Sequence, residues 1–418
     1  MMEKQLSSIV PSRNIPQLRF PEFEEKIKEV KVLSLVEFKS GGTPKKDNPN
    51  YWNGNIPWIS ASSMLGKFYS NSERTLTEEG LSRGSKLAPK NTLLLLVRGS
   101  MLYNKIPIGI TEKDVAFNQD LKSLIPNKKV TVEYLYQWFC SKENKILNMV
   151  VGTGIGAGKL ETDDIKSLKV YLPQLPEQQK IAAFLTDVDT KITQLTKKKT
   201  LLEQYKKGIM QKIFNQELRF KDDEGKEFPN WQKNKLGKSV KFLKGKGLPK
   251  SEIVCDGQYK CIHYGELFTK YNELIDNIIS RTNDNDKTIL SKVNDVLMPT
   301  SDVTPNGLAT ASCIKESDVI LGGDVLIIRQ DIKKIEGVYL AHYIKHFRND
   351  VMKLVSGSTV YHLYGSDMKN LQVLIPCLDE QIKIANFLTD IDKKIEAVTT
   401  KIEKAQSFKK GLLQQMFV

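Results

Sequence analysis

The sequence has few cysteines and no long hydrophobic run. Five cysteines among 418 residues are too few and too scattered for a disulfide framework, so we expect reduced thiols. The longest apolar run, Leu93 to Val97, is far shorter than the ~18 residues of a membrane-spanning helix. Met1 to Arg13 lacks the hydrophobic stretch of a secretory signal. These absences exclude membrane and secreted classes and predict a cytoplasmic protein.

Charge and composition describe a folded protein with a basic surface. The chain is 40% hydrophobic and 27% charged, as in ordinary globular proteins. Its length predicts two to four domains at roughly 100 to 200 residues each. Lysine and arginine number 63 against 49 acidic residues, a net charge of +14. This excess favours a polyanionic partner, nucleic acid first.

The chain contains an internal duplication. Tyr171 to Phe214 aligns without gaps on Leu374 to Phe417, with identical residues at 21 of 44 positions. A fainter match upstream relates Gly54–Ile59 to Gly257–Ile262. Each half therefore repeats one plan, a long variable segment followed by a nearly constant one.

The constant segments are predicted to be long helices. Each follows a proline, Pro173 or Pro376, and continues without another one after its first turn. Apolar residues recur in both at alternating spacings of four and three, which is typical of a coiled-coil seam. We expect the two helices to pack antiparallel as an intramolecular coiled coil related by a pseudo-twofold axis. The alternative is that each helix covers only its own domain.

The variable segments are predicted to be mixed α/β. Short β-rich runs occur at Leu93–Val97, Val296–Met298 and Val325–Ile328, and the best helical patterns are Val132–Val150 and Val338–Val355. The expected fold class is α+β, with two mixed α/β domains joined by the two helices. The predicted boundaries are 1–172 for the first domain, 173–217 for the first helix, 218–230 for a surface linker, 231–375 for the second domain and 376–418 for the second helix.

Motifs for catalysis are incomplete. The glycine run Gly152–Lys159 lacks the first glycine and the final Ser or Thr of a P-loop, so it is interpreted as a hinge or turn before the helix. His342 and His346 stand four residues apart without further metal ligands nearby in sequence, and we expect them on the surface. The sequence therefore predicts no catalytic residue and no metal site.

Basic loops with aromatic and amide side chains indicate binding instead. Lysines position phosphates, while Arg, Asn, Ser and His side chains read base edges. The candidates in the first domain are Lys45, Lys46, Tyr51, Trp52, Trp58, Arg98, Ser100, Asn104 and Lys105. Those in the second domain are Lys244, Lys246, Lys250, Lys260, His263 and Tyr264. A solvated lysine-rich surface is the alternative.

Several motifs together carry a family resemblance. The first half contains Gly41-Gly-Thr-Pro44, Val97-Arg-Gly-Ser100 and Asn118-Gln119 in that order. The pattern Glu-Gln-x-Lys-Ile-Ala-x-Phe-Leu-Thr-Asp-x-Asp follows at Glu177 and again at Glu380. The chain thereby resembles, over nearly its whole length, the specificity subunit of type I restriction-modification systems.

The resemblance implies two target recognition domains that read a bipartite duplex DNA target, one half-site each. It adds Ser60, Asn118, Gln119, Thr300 and Ser301 to the candidate DNA contacts. It also implies that the chain is not an enzyme and holds no cofactor. Two modification subunits would supply S-adenosylmethionine and adenine methylation, and restriction subunits would supply Mg- and ATP-dependent translocation and cleavage.

Two other functions remain open. One is a stand-alone DNA methyltransferase or fused restriction enzyme, which the incomplete catalytic motifs disfavour. The other is a coiled-coil adaptor without sequence-specific binding.

Polar identity between the two helices predicts where partner subunits dock. Residues off the seam that are kept in both copies would present one surface twice to the same kind of protein. The candidates are Glu177, Gln178, Lys180, Asp187 and Asp189 with their copies Glu380, Gln381, Lys383, Asp390 and Asp392.

Overall fold

A computed structural model describes residues 15–154, 156–285 and 288–418. The chain forms two compact units. Unit 1 comprises Met1–Thr196 with Thr400–Val418, and unit 2 comprises Lys197–Thr399. Each unit therefore contains one variable segment together with one half of each long helix. The predicted boundaries at 172/173 and 375/376 fall where the helical segments begin, whereas the division into units falls in the middle of both helices.

Unit 1 is a mixed sheet structure. Its strands are β1 (Lys28–Lys31), β2 (Val36–Ser40), β3 (Trp52–Ile59), β4 (Phe68–Tyr69), β5 (Thr75–Leu76), β6 (Lys86–Ala88), β7 (Leu93–Leu96), β8 (Arg98–Gly99), β9 (Ile108–Thr111), β10 (Val115–Phe117), β11 (Leu121–Pro126), β12 (Val151–Gly152), β13 (Gly158–Lys159) and β14 (Lys169–Leu172). Its helices are α1 (Glu78–Gly84), α2 (Val132–Ser141), α3 (Glu143–Leu147) and α4 (Thr162–Ser167), followed by α5 (Leu175–Phe214), which continues into unit 2.

The central strand of the larger sheet in unit 1 is β7, which lies within the run Leu93–Val97 that was predicted to be a strand. A five-stranded sheet has the order β2-β11-β7-β9-β4, and a four-stranded sheet has the order β5-β3-β10-β6. All four leucines of β7 are buried, as expected for a strand covered on both faces. Trp138 and Phe139 of α2 belong to the same core. The sequence predicted one helix at Val132–Val150, and the structure has two shorter helices there, α2 and α3.

Unit 2 continues the numbering in chain order. Its strands are β15 (Gln232–Lys235), β16 (Val240–Lys244), β17 (Tyr259–Ile262), β18 (Leu274–Ile275), β19 (Arg281–Thr282), β20 (Ile289–Leu290), β21 (Val296–Pro299), β22 (Ser301–Asp302), β23 (Ser312–Ile314), β24 (Ile320–Leu321), β25 (Val325–Gln330), β26 (Tyr361–His362) and β27 (Gln372–Ile375). Its helices are α6 (Glu266–Thr269), α7 (Gly337–His346), α8 (Arg348–Met352) and α9 (Gly365–Met368), before α10 (Leu378–Met416), which continues into unit 1.

The two units share one topology. The sheets of unit 2 have the orders β16-β25-β21-β23-β18 and β19-β17-β24-β20, which correspond strand for strand to those of unit 1. The first and last strands also pair antiparallel in both units, β1 with β14 and β15 with β27. The duplication that is plain only in the helices therefore includes the variable segments.

The long helices pack antiparallel inside each unit. In unit 1, Arg19 binds Glu177 while the neighbouring Leu18 N–H donates to Gln415, and further along Lys409 pairs with Asp189 at 2.5 Å. Numbers thus rise along α5 as they fall along α10. In unit 2, Lys206 of α5 likewise pairs with Asp392 of α10 at 2.6 Å. The α+β class and the antiparallel pairing predicted from the sequence are confirmed.

Two further sequence expectations concern the chain as a whole. All five cysteines are free thiols. Within the described ranges, no helix combines the length and the apolar character that crossing a bilayer requires.

Candidate nucleic-acid interface

In unit 1, two motifs that are far apart in the sequence contact each other at the surface. The Thr43 hydroxyl donates to Gln119 Oε1 at 2.6 Å, which ties the Gly-Gly-Thr-Pro loop to the Asn-Gln turn. Gly41 is required at this contact, because a Cβ there would lie 2.3 Å from the Phe117 carbonyl oxygen. Lys45 and the neighbouring Lys46 extend from the same loop and are exposed, as is Gln119. Tyr51 and Ser60 are half-buried beside them.

Three predicted DNA contacts of unit 1 are buried instead. Trp52 and Trp58 are 9% and 5% exposed and pack edge to face with ring centroids 5.3 Å apart. Their indole N–H groups donate to the carbonyls of Lys45 and Gly42. Asn118 is also buried, and its side chain donates to Asp120. The prediction for these three residues is wrong, because the loop needs them inside to hold its shape.

The segment that leaves β7 gathers the remaining candidates of unit 1. Arg98 lies on β8, and Ser100, Asn104 and Lys105 lie in and just after the 3-10 turn that follows. All four side chains are exposed. The glycine run pairs with this segment through β12 and β13, so of the two interpretations, hinge or turn, the structure shows a turn between two paired strands.

In unit 2 the corresponding residues converge on Asp324. Thr300 and Ser301 both donate hydroxyl hydrogen bonds of 3.2 Å to its carboxylate. Lys244 pairs with the same carboxylate at 3.3 Å. Thr300 is 5% exposed, which contradicts its predicted base contact, while Ser301 is half-buried. Asp324 was not predicted, because only the fold brings it to these residues.

The other candidate residues of unit 2 differ in whether their side chains are free to contact DNA. Lys246 and Lys250 are exposed. The ammonium of Lys260 is held by both oxygens of Glu316 at 2.7 and 2.9 Å, so its charge is already balanced. The rings of His263 and Tyr264 stand 4.5 Å apart. Burial lowers the pKa of His263, which favours a neutral ring that can both donate and accept.

The acidic residue at the start of each long helix is an internal anchor. Glu177 is 1% exposed and receives two hydrogen bonds from Arg19, at 2.7 and 2.8 Å. Glu380 is fully buried and receives two from Arg219 and one from the Trp231 indole. Burial contradicts the prediction that Glu177 and Glu380 face a partner.

The next residue in each helix caps a different helix of its own unit. Gln178 accepts from the Thr131 N–H, the N-cap of α2, and donates to two carbonyls. Gln381 makes the same three hydrogen bonds in unit 2, accepting from the Glu336 N–H at the N-cap of α7. Both side chains are fully buried, so their predicted docking role is also wrong. The glutamine is the same in both helices because its side chain makes these internal hydrogen bonds in each unit.

Arg19 and Arg219 belong to a repeat that the sequence alignment missed. Leu-Arg-Phe occurs at 18–20 and again at 218–220, and each phenylalanine packs edge to face on a helix phenylalanine, Phe184 or Phe387. The two Leu-Arg-Phe copies lie 200 residues apart, whereas the two helix copies lie 203 residues apart. A comparison without gaps at a shift of 203 therefore does not align them. In the predicted surface linker 218–230 most residues are exposed, while Arg219 and Phe220 are half-buried against the second long helix and Lys221 forms a bridge with Glu227.

Of the remaining predicted docking residues, four form ion pairs within their own unit and two are exposed without one. Lys180 pairs with Glu22, and Lys383 pairs with Asp223 at 2.7 Å. Asp189 and Asp392 bind the lysines of the opposite helix. Among the ten, only Asp187 and Asp390 are exposed with no ion pair to any described residue.

A cluster of charged residues surrounds the buried His342 of α7 in unit 2. His342 is fully buried, which contradicts the expected surface position, and its ring nitrogens lie 4.0 Å from Glu273 and 3.8 Å from Asp392. Burial alone would raise the pKa of Glu273, but His342, Lys345 and Lys206 outweigh it and bring that pKa to about 2. Burial lowers the pKa of His342 to about 3. Two ammonium groups thus already balance the two carboxylates, which disfavours a divalent metal ion here.

A surface that the sequence reading missed runs along the long helices. Tyr205 is 51% exposed on α5, and Phe408, its copy on α10, is 57% exposed. Gly208 and Gly411 follow three residues later, and a Cβ at either would meet no described atom within 4 Å. A glycine inside a helix costs about 1 kcal/mol relative to alanine, and nothing within either unit requires it.

Comparison with known proteins decides the family. The profile of the type I restriction modification DNA specificity domain matches residues 24–204 and again residues 229–407. The chain belongs to this family. Each specificity domain thus contains one variable segment and most of the long helix that follows it, and the chain carries two.

Individual relatives agree with two specificity domains. The specificity subunit of the type I restriction enzyme EcoR124I/EcoR124II from Escherichia coli is 33% identical over 177 residues, which span 42% of this chain and 44% of that subunit. The MjaIX specificity subunit of Methanocaldococcus jannaschii is 29% identical over 53% of this chain and 54% of its own length. This chain therefore aligns with about half the length of these two relatives. The MjaVIII specificity subunit of the same organism is 25% identical over 95% of this chain and 92% of its own length.

A solved structure shares the fold. The S subunit of a type I restriction-modification system from M. genitalium superposes with a TM-score of 0.63 at 15% identity, covering 97% of this chain and 99% of that one. The two-unit specificity fold is thus shown along nearly the whole chain.

Proposed function

We propose that the chain reads a bipartite duplex DNA target, with one half-site per unit, as the non-catalytic specificity subunit of a cytoplasmic type I restriction-modification complex. One observation carries the proposal. Two units of identical strand order present different residues at the same edge, the exposed Arg98 and Ser100 in unit 1 against the half-buried Ser301 and Asp302 in unit 2. A duplicated scaffold with unequal edges suits two unequal half-sites.

The candidate DNA contacts that remain after the buried residues are removed are basic, polar or aromatic. In unit 1 they are Lys45, Lys46, Arg98, Ser100, Asn104, Lys105 and Gln119, with Tyr51 and Ser60 at their margin. In unit 2 they are Lys244, Lys246, Lys250, Ser301, His263 and Tyr264, with Lys260 at their margin. Lysines are suited to phosphates and the polar side chains to base edges.

Partner subunits supply the chemistry in this proposal. Two modification subunits would hold S-adenosylmethionine and methylate adenine, and restriction subunits would hold ATP and Mg and cleave DNA. The family membership and the absence of complete catalytic motifs in the sequence support this division.

We place the docking of the modification subunits on the exposed face of the long helices. In unit 2 this face consists of Leu201, Tyr205 and Gly208, which stand four and three residues apart and so share one side of α5. In unit 1 it consists of Phe408 and Gly411 of α10. An exposed aromatic beside a helical glycine suits close packing of a partner helix, and its presence in both copies suits two identical partners.

Selection from random duplexes tests the DNA-reading role. The chain assembled with its modification subunits should enrich two short fixed sequences separated by a gap of fixed length and variable sequence. A chain with unit 2 recognition residues replaced by those of unit 1 should enrich the first half-site twice. Enrichment of no fixed sequence by the complete assembly would contradict the proposed function.

A second test addresses the lack of catalysis. The highly purified chain alone should bind no S-adenosylmethionine in calorimetry and should not hydrolyse ATP or cut DNA. The same preparation mixed with modification subunits is the positive control for S-adenosylmethionine binding, and further addition of restriction subunits gives the control for ATP hydrolysis and cleavage. Binding of S-adenosylmethionine to the isolated chain would favour the stand-alone methyltransferase instead.

A further inference from the structure

In both units a short hairpin pairs with the segment that leaves the central strand. In unit 1, β13 runs antiparallel to β8, with Lys159 opposite Arg98. In unit 2, β26 runs antiparallel to β22, with His362 opposite Ser301, and Ser356 closes the hairpin by a bridge to His362. The hairpins therefore lie beside the candidate DNA contacts.

One glycine of the unit 1 hairpin has no internal reason to be glycine. Gly156 has φ +75°, which favours glycine, and a Cβ on Gly158 would lie 2.8 Å from a methyl of Val150. Gly154 has no positive φ, is exposed, and a Cβ there would meet no described atom within 4 Å. Glycine in such a place loses more backbone entropy on folding than alanine, and it suits the close approach of a ligand.

The charge at the root of this hairpin favours an anion. Arg98 is exposed, stands directly opposite Lys159 and has no ion pair with any residue that the structure describes, whereas Lys159 pairs with Glu161 at 2.5 Å. The guanidinium of Arg98 is therefore the positive charge without a partner at this position. Burial lowers the pKa of Lys122, and the nearby charges of Lys166 and Arg98 lower it further. A phosphate bound at this position would relieve the repulsion.

The unit 2 hairpin keeps one glycine, Gly357, but carries larger side chains at other positions. Val360 is 43% exposed at the turn, and the His362 ring stacks on Tyr364 at 5.9 Å with an interplanar angle of 13°. Tyr364 is itself 49% exposed. His and Tyr offer hydrogen-bonding groups and flat faces to bases, whereas unit 1 has Lys159 at the position of His362. One scaffold thus presents two different tips.

Resting on the proposed function, we infer that both hairpins touch duplex DNA and help to determine which bases are read. The unit 1 hairpin approaches the DNA closely through its backbone at Gly154, while Arg98 faces phosphate. In unit 2, His362 of the hairpin and Tyr364, two residues after it, contact bases of the second half-site.

The test uses the full chain assembled with modification subunits and random-duplex selection. The double variant H362A/Y364A should keep the first half-site and lose at least about tenfold of the discrimination at one or more positions of the second, as expected for a lost base contact. The single variant G154A should bind the wild-type target about tenfold more weakly and leave the second half-site unchanged. Thermal melting checks that both variants are folded.

The matched control is I332A/K333A in the exposed turn after β25. This turn lies at the opposite end of β25 from Val325, which pairs with Pro299 next to the hairpin, so the selected target should not change. If the wild type reads two half-sites and both hairpin variants read them unchanged at unchanged affinity, the hairpin assignment is wrong while the proposed function stands. If the wild type itself selects no target, both fail.

Discussion

Placing a charge on the exposed face of both long helices should abolish the binding of modification subunits. We expect Y205D/F408D to weaken each docking site at least about a hundredfold, because buried aromatic anchors at interfaces carry about 2 to 4 kcal/mol and the new carboxylates would be desolvated. Native mass spectrometry and titration with purified modification subunit measure the number of bound subunits and their affinity. The single variants should each lose one subunit.

A matched control keeps the same helices and the same new charge. Lys207 and Lys410 are identical partners in the repeat and are both exposed, and because they stand two residues from Tyr205 and Phe408 they lie on the opposite side of each helix. K207D/K410D should retain two subunits. A second comparison, D187K/D390K, tests the two free aspartates predicted from the sequence. If that variant loses both subunits while Y205D/F408D keeps them, the docking face is wrongly placed.

Removing the buried carboxylate at the start of α10 should strongly destabilise unit 2. Glu380 receives hydrogen bonds from Arg219 at 2.7 and 3.1 Å and from the Trp231 indole at 2.9 Å. The change E380A leaves a guanidinium and an indole N–H without an acceptor, which typically costs about 3 to 5 kcal/mol. Urea denaturation followed by tryptophan fluorescence measures the free energy of unfolding.

Two comparisons separate this pair from a general effect of losing charge. D390A removes an exposed carboxylate from the same helix and should change stability by less than about 0.5 kcal/mol. The double variant R219M/E380L removes both charges and should cost clearly less than E380A, because no charge is left without a partner. A double variant as unstable as E380A would show that the ion pair is not the cause.

The long helices illustrate what periodicity can predict. Their apolar residues follow a heptad pattern over some forty positions, and a pattern of that length is satisfied only by a helix with one covered side. Ile181 and Leu185 of α5 are buried as expected, and so are Ile384 and Leu388 of α10. The strands at Leu93, Val296 and Val325 were equally clear, because short apolar runs between turn residues fit buried strands.

The candidate site was predicted less well, because residue type does not specify direction. Trp52 and Trp58 were candidate DNA contacts, yet their indole N–H groups hold loop carbonyls inside unit 1. Glu177 and Gln178 were candidate docking residues, yet they bind Arg19 and the backbone at the start of α2. In both cases the contact forms only when the chain folds, so only the folded chain shows that the polar atoms are already satisfied.

The sequence by itself determined the duplication, the two long helices, the α+β class and the specificity family, because these rest on repeated local patterns and on motifs written in the chain. Only the tertiary structure decided which polar residues are buried, that the glycine run forms a hairpin beside Arg98, and that Asp324 gathers Lys244, Thr300 and Ser301. These depend on contacts between residues far apart in the chain, and burial and hydrogen bonding are properties of such contacts rather than of residue types.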